Sequence, residues 1–287
     1  MMYTTAWRWV FSSRSLAHAR SPLVAWLRQV PSHLFASIFP DTCRICGDHL
    51  AGYGRAPICG KCLDAPKPLS PEIFCLKCRT PFLRERALDD KGLCRLCAAG
   101  LSAYDAAYAW GSYEGVLKDL IHCFKFQGMR SLGARLGACL AEAMPRSERV
   151  DAIVPMPIHW TRRMTRGFNQ CESLAGELSR HTGLPVLKAL KRTRRTRKQS
   201  SLAGAKRRRN VKGSFSAAHV PVRGKRLLLI DDVMTTGSPV NEAASELTRQ
   251  GAARVVVLTV ARVDRRGLLA LQSDYKLTPT AEENTFK

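Results

Sequence analysis

Beyond about residue 103 the chain alternates between short apolar runs and longer segments in which apolar positions recur every three or four residues. The runs suit strands buried on both faces, and the recurring positions suit helices with one face on a core. The pattern predicts strands at Tyr104–Tyr113, Asp151–Pro155, Pro185–Leu190, Arg226–Asp231 and Arg254–Ala261. It predicts helices at Glu114–Phe126, Leu132–Met144, Gln170–His181 and Pro239–Gln250. Strands and helices in alternation argue for βαβ units, hence an α/β fold with a parallel sheet flanked by helices. No stretch of about 18 apolar residues occurs, so no membrane insertion is expected.

Upstream the pattern changes, and cysteine takes over as the organising residue. Eight of the eleven cysteines fall as Cys43-x2-Cys46, Cys59-x2-Cys62, Cys75-x2-Cys78 and Cys94-x2-Cys97. Such knuckles each turn two sulfurs toward one point, and two knuckles complete a four-thiolate shell for zinc. The spacing permits sequential or interleaved pairing; sequential pairing is expected because it closes shorter loops. Gly47 and Gly60 would supply backbone freedom at the knuckles. Four thiolates leave no open position for a catalytic water, so the zinc is expected to be structural. Redox chemistry of a single Cys-x2-Cys is the remote alternative. Zinc-bound thiolates also imply a reducing compartment, the cytoplasm. Cys123, Cys139 and Cys171 lie outside the pattern and read as small buried hydrophobes.

A length of 287 residues suits two domains, and 45% hydrophobic residues supports packed cores without separating an enzyme from a binder. The net charge of +23 changes the picture, because such an excess favours polyanionic partners. It is local: between Arg162 and Lys212 sixteen Lys or Arg face only Glu172 and Glu177. A solvated basic face is the plainer reading; a phosphate-bearing partner is the functional one. The first forty residues hold four Arg and no acid, the composition of an organelle transit peptide. A start codon assigned too far upstream, or an apolar helix at Leu23–Phe39 packed on the ribbons, accounts for them as well.

The most specific segment runs from Lys225 to Glu242. Leu227–Ile230 form a buried strand, and Asp231 and Asp232 arrive at its C-terminal end, the edge where open α/β sheets bind ligands. Thr235-Thr236-Gly237-Ser238 leads into a helix, with Ser238 as the expected N-cap and Pro239 at the first helical position. Free amides, the helix dipole and three hydroxyls converge there and suit a phosphate monoester. The paired carboxylates can accept hydrogen bonds from two vicinal ribose hydroxyls. Phosphate on one side and diol on the other describe a ribose 5-phosphate. An ordinary strand-to-helix turn is the alternative, but adjacent carboxylates at a buried edge are costly without partners.

This string resembles the phosphoribosyl-pyrophosphate signature of type I phosphoribosyltransferases. Together with the eight cysteines, with Phe35-Ala-Ser-Ile-Phe-Pro-Asp-Thr-Cys43, with Arg166-Gly-Phe-Asn-Gln170, and with Gln199-Ser-Ser-Leu followed by Arg209-Asn-Val-Lys-Gly-Ser-Phe215, the chain resembles the ComF/GntX family of competence-associated proteins over roughly Leu34 to Ala261. The resemblance implies a type I phosphoribosyltransferase fold preceded by a double zinc ribbon. The divisions would be an extension at 1–33, ribbons at 34–100, the transferase-like domain at 101–265 and a tail at 266–287. It implies that Asp231 and Asp232 hold the ribose as the catalytic pair and that Thr235, Thr236, Gly237 and Ser238 bind its phosphate. The loop after an earlier strand would take the diphosphate, here Met156 and Pro157 with Arg162, Arg163 and Arg166, accompanied by Mg²⁺. His159 is a candidate proton donor or simply polar surface. Pro239 stands where the family commonly has threonine. The stretch Lys191–Lys212, with eleven basic residues, resembles the family's mobile loop.

Two functions follow as expectations: a phosphoribosyltransferase acting on phosphoribosyl pyrophosphate, or an accessory protein that grips a nucleotide and holds single-stranded DNA and a DNA-uptake motor protein. A scaffold with a vestigial pocket is the bland third.

Overall fold

The computed structural model describes residues 42–50, 56–193 and 213–263. The predicted helix at Leu23–Phe39, most of the arginine-rich stretch, the string Gln199-Ser-Ser-Leu and the tail from Leu268 lie outside the described residues.

The described elements run α1 (Gly60–Asp64), α2 (Arg95–Ala98), β1 (Ala106–Ser112), α3 (Gly115–Phe126), α4 (Leu132–Ala143), β2 (Ala152–Pro155), α5 (Trp160–Arg166), α6 (Gln170–Thr182), β3 (Leu190–Arg192), β4 (Phe215–Ala217), β5 (Arg226–Met234), α7 (Ser238–Arg249) and β6 (Arg254–Arg262). The strands β1, β6, β5 and β2 lie side by side in that order, all parallel. The expected α/β class therefore holds. Among the described residues no helix is long and apolar enough to cross a membrane.

Period-two alternation sends the side chains of β5 and β6 to two separate cores. Leu228, Ile230, Val256 and Leu258 pack with α3, α4 and α6, around Phe124, Leu136 and Leu174. Leu227, Leu229, Val255 and Val257 pack on the opposite face with Val240, Ala243 and Leu247 of α7. The cysteine-bearing segment divides between the same faces: Cys43 and Cys62 join the first core, and Cys75, Cys78, Cys94 and Cys97 join the second.

Three expectations are corrected. The strand predicted at Pro185–Leu190 reduces to one parallel bridge, Val186 with Ile153, and the chain then turns so that Leu190–Arg192 pairs with Phe215–Ala217 in a separate antiparallel ribbon. Ser238 is not the N-cap. Gly237 takes that position in a left-handed conformation at φ 73°, which favours glycine, and Ser238 opens the helix with Pro239 behind it. The short helix α5 was not anticipated, because in its seven residues WTRRMTR the apolar positions are Trp160 and Met164 alone, and both are exposed.

Helices α4 and α6 approach closely where α4 carries glycine. A Cβ at Gly137 would stand 2.3 Å from Glu177 Cβ and 3.6 Å from its Cα, so the contact cannot be relieved by a rotamer change alone. Gly137→Ala should therefore cost about 2 kcal/mol through overpacking, net of the roughly 1 kcal/mol that alanine gains in a helix. Urea unfolding of the two proteins checks this, and a stabilised variant would show that the helices separate freely.

Candidate functional site

Each cysteine quartet is built from sequential knuckles, as expected. Cys43, Cys46, Cys59 and Cys62 bring their sulfurs within 4.8 Å of one another, and so do Cys75, Cys78, Cys94 and Cys97. In the first, Gly47 N–H donates to Cys43 O at 2.9 Å with Gly47 at φ 80°, so this glycine does serve the knuckle. Gly60 does not: it opens α1, with Cys59 as N-cap. In the second quartet the Cys75-x2-Cys78 knuckle uses Arg79, at φ 53°, for the equivalent turn.

Backbone amides aim at sulfur in both quartets: Cys59 N–H donates to Cys43 Sγ at 3.4 Å, and Cys94 N–H to Cys75 Sγ at 3.3 Å. Burial alone would raise the Cys43 thiol, but the amide donors bring its pKa down to about 6. Hydrogen bonds from Cys78, Cys94 and Cys97 drive Cys75 far below the ordinary thiol range. Sulfur separations of 3.6 Å (Cys46 to Cys59) and 3.8 Å (Cys78 to Cys94) match the ~3.8 Å edge of a tetrahedron with ~2.3 Å metal–sulfur bonds. Donor type, number and spacing thus fit zinc, and both clusters can hold it.

The carboxylate pair stands in the C-terminal half of β5, which runs two residues past it to Met234; Asp231 pairs with Thr259 of β6. Asp231 Oδ1 accepts from Asp232 N–H at 2.9 Å and from the Cys171 thiol at 3.4 Å. Lys125 reaches over from the end of α3 and sets its Nζ 2.9 Å from Asp232 Oδ1, with both side chains largely buried. Burial, and then the neighbouring Asp232 charge, push the Asp231 carboxyl up to about 7. Burial works against the Lys125 ammonium, yet Asp232 more than offsets it and the pKa stands above that of a free lysine. Cys171, buried and facing both acids, is pushed well above the ordinary thiol range and is a neutral donor. Its reading as a small buried hydrophobe was therefore incomplete. Lys125 was missed too; its one signal was a cation among Phe124 and Phe126 at the end of an apolar helix.

The loop after β5 is compact. Thr236 Oγ1 lies 3.1 Å from Ser238 Oγ and accepts from Ser238 N–H at 3.3 Å. Gly237 allows the turn to close over Met234, whose Cε would be 2.9 Å from any added Cβ. The chain segment from the acids to the threonine loop thus forms one continuous edge of the sheet.

The loop after β2 lies beside that edge: Met156 N–H donates to Ile230 O at 2.9 Å, and Asn169 Nδ2 donates to Met156 O at 3.2 Å. Met156 is buried, so its backbone and not its side chain fixes the loop. Pro157 follows, and α5 then carries Arg162, Arg163 and Arg166. Arg163 lies 3.5 Å from Glu172, and Arg166 donates to Gln170 at 3.1 Å while stacking on Phe126. His159 is buried and caps α5, accepting from Thr161 N–H through Nδ1, so it is neither exposed surface nor free for proton transfer at that nitrogen. Arg192 of β3 joins this rim: burial lowers its pKa and the Arg162 guanidinium adds to the effect, while the Asp231 charge opposes both.

No protein-family model matches the chain. Among curated proteins it is 32% identical over 230 residues to the DNA utilization protein YhgH of Escherichia coli, covering 78% of this chain and 97% of that one. It is 34% identical over 180 residues to competence protein F of Haemophilus influenzae, covering 59% and 78%. It is 28% identical over 206 residues to competence protein ComFC of Streptococcus pneumoniae, covering 71% and 87%. Among solved structures it is similar to a glutamine phosphoribosylpyrophosphate amidotransferase from B. subtilis (23% identity, TM-score 0.33, covering 46% of this chain and 26% of that one). It is also similar to a purine phosphoribosyltransferase from Pyrococcus horikoshii (18% identity, TM-score 0.30, covering 45% and 82%). With 32% identity over 230 residues, across nearly the full length of the Escherichia coli protein, and with the cysteine quartets and the acid-to-threonine edge in place, this chain belongs to the ComF/GntX family of competence and DNA utilization proteins.

Proposed function

We propose that this protein binds phosphoribosyl pyrophosphate, or a ribose 5-phosphate group, in the service of DNA utilisation. The observation that carries the proposal is the continuous edge from Asp231 to Ser238, with an acid pair at one end and a hydroxyl-rich loop opening α7 at the other. In this reading Asp231 and Asp232 accept hydrogen bonds from the ribose hydroxyls. Thr235, Thr236, Gly237 and Ser238 hold the phosphate, where amides at the start of a twelve-residue helix favour an anion. The backbone at Met156 and Pro157, with Arg162, Arg163 and Arg166, faces the diphosphate, whose charge suits guanidinium forks.

Zinc would fill both cysteine quartets as a structural ion, held by Cys43, Cys46, Cys59 and Cys62 and by Cys75, Cys78, Cys94 and Cys97. Mg²⁺ would arrive with the diphosphate and neutralise part of its charge; Lys125 already pairs with Asp232, so the acids are not an empty cage for the ion. The arrangement suits displacement at the ribose anomeric carbon, in which the bond to the diphosphate oxygen breaks, diphosphate leaves with the electron pair, and a nitrogen acceptor forms the new bond. Arginines and loop amides stabilise the departing charge.

A second reading has its own support. Trp160 and Met164 are 64% and 75% exposed on α5, beside Arg163, and an aromatic among cations suits stacking on unpaired bases. An accessory protein holding single-stranded DNA for an uptake motor protein, in the cytoplasm, would use that surface.

The test is calorimetric titration of the zinc-loaded protein with phosphoribosyl pyrophosphate and Mg²⁺. The Asp231→Asn, Asp232→Asn double variant should bind about a hundredfold or more weakly, since each acid contributes charged hydrogen bonds. Absence of binding by the wild type would overturn the ribose-phosphate reading and leave the DNA-handling one.

A further inference from the structure

The two cysteine quartets are alike in composition and unlike in what they touch. The first leans on the helical face: Cys43 and Cys62 pack in the core of α3 and α4, and Arg135 of α4 donates to Leu63 O at 3.2 Å and pairs with Asp64 at 3.3 Å. The second lies on the opposite face of the sheet, against α7 and the ends of β5 and β6.

Two polar ties join that second quartet to the segment carrying the threonine loop, and a third fixes it to β1. Arg262, buried at the end of β6, donates through Nη1 to the Cys78 carbonyl and through Nη2 to Met234 Sδ at 3.5 Å, and Met234 is the residue from which the loop departs. Asn241, in the first turn of α7, accepts from Ala103 N–H at 2.6 Å, a few residues past Cys97. Lys77, inside the Cys75-x2-Cys78 knuckle, donates to Ser102 O at 3.1 Å and accepts from Ala107 N–H of β1 at 2.9 Å. Between quartet and loop lies a cavity of about 550 Å³, walled by Cys78, Cys94 and Cys97 on one side and by Thr235, Gly237 and Ser238 on the other.

We propose that the second quartet, and not the first, is a positioning device for the threonine loop, so that metal loading at Cys75, Cys78, Cys94 and Cys97 is coupled to binding of a phosphate-bearing ligand. The coupling to ligand rests on the ribose-phosphate reading above; the coupling to loop order does not. The physical basis is that four thiols held within 4.8 Å stay together only around a cation or with their protons retained. When the metal leaves, the knuckle carrying the Cys78 carbonyl loses its anchor. Arg262 then loses the Cys78 carbonyl as one of its acceptors, and one wall of the cavity goes with it. Linkage is reciprocal: a ligand that binds tighter to the metal-loaded form tightens metal at the second quartet by the same factor.

The experiment compares the zinc-loaded full chain with Cys97→Ser and with Cys62→Ser, which cripple the second and first quartets respectively. Hydrogen exchange across residues 234–241 is the first readout and phosphoribosyl pyrophosphate affinity the second. Cys97→Ser should speed exchange in that segment about tenfold or more and weaken the ligand by a similar factor, with Cys62→Ser leaving both near wild type. Equal behaviour of the two variants in exchange overturns the proposal. If either variant fails to fold, graded chelation of the wild type replaces it: loss of the second metal, read by mass, should coincide with loss of protection at 234–241, and protection that outlasts that metal overturns the proposal equally. A wild type that shows the exchange response without binding the sugar phosphate would sink the ribose-phosphate reading while leaving the loop coupling intact. Ligand binding with identical affinity in both variants would sink the ligand coupling alone.

Discussion

Replacing Asp231 with asparagine should make the protein progressively more stable than wild type as pH rises from about 4 to about 7, by up to about 4 kcal/mol, and no further above about 8. The sign follows from the raised pKa. Asp231 titrates near 7 in the folded chain against an ordinary 3.8. Between those values the folded state binds more protons than the unfolded one, so stability is present at low pH and is lost as pH climbs through 7. Asparagine keeps the acceptor oxygen that Cys171 and the Asp232 amide use, and removes the charge. Carboxylates with depressed values, such as Asp151, held at about 2 by Arg226, push the other way, but they are shared by both proteins and cancel in the difference. Paired urea titrations across the pH range measure this, and a pH-independent gap would show that Asp231 titrates as an ordinary surface acid.

The Lys125→Met variant should lose on the order of 3 kcal/mol, because it strands Asp232 at a largely buried position beside a second carboxylate. The double change Lys125→Met with Asp232→Asn should recover most of that loss, since the uncompensated charge is then gone and the methionine fills similar volume. The four proteins form a double-mutant cycle whose coupling energy should approach the single-variant loss. Urea midpoints at pH 8, with unchanged slopes, provide the readout. If Lys125→Met alone costs less than about 1 kcal/mol, the ion pair is screened as a surface bridge would be, and the site is wetter than the burial of its side chains implies.

The parts of this fold visible in the sequence are those where one local force dominates. The apolar run Leu227–Ile230 can be nothing but a buried strand, and α3, α4, α6 and α7 each have an apolar stripe matched to a helix face. The quartets were visible for the same reason, because thiol spacing carries metal geometry directly. What stayed hidden depends on tertiary placement. Leu190 reads as the end of a sheet strand and Lys191 and Arg192 as the start of a mobile loop, yet Leu190–Arg192 pairs with Phe215–Ala217, more than twenty residues on, and no local signal says so. α5 is held by a buried histidine cap and by its neighbours instead of an apolar stripe. Lys125 and Cys171 come to the acids from two different helices, so their role exists only once those helices are packed. The loop itself was legible while its cap was not, since glycine and serine both suit that position and only the left-handed backbone at Gly237 decides between them.

The strand order carries a consequence for how the chain is made. Among the described residues β1 has a single neighbour in the sheet, β6, and Asp105 beside it is bonded to Val255, 150 positions later. On the ribosome, then, the first described strand to emerge must wait for the last before its backbone is paired in the sheet. The cysteine quartets precede it and close over short loops, so a metal ion can fix them while the rest is still being translated. Metal capture would then come before sheet closure, and a nascent chain starved of zinc would leave the ribosome with both its leading segment and its edge strand unprotected against aggregation.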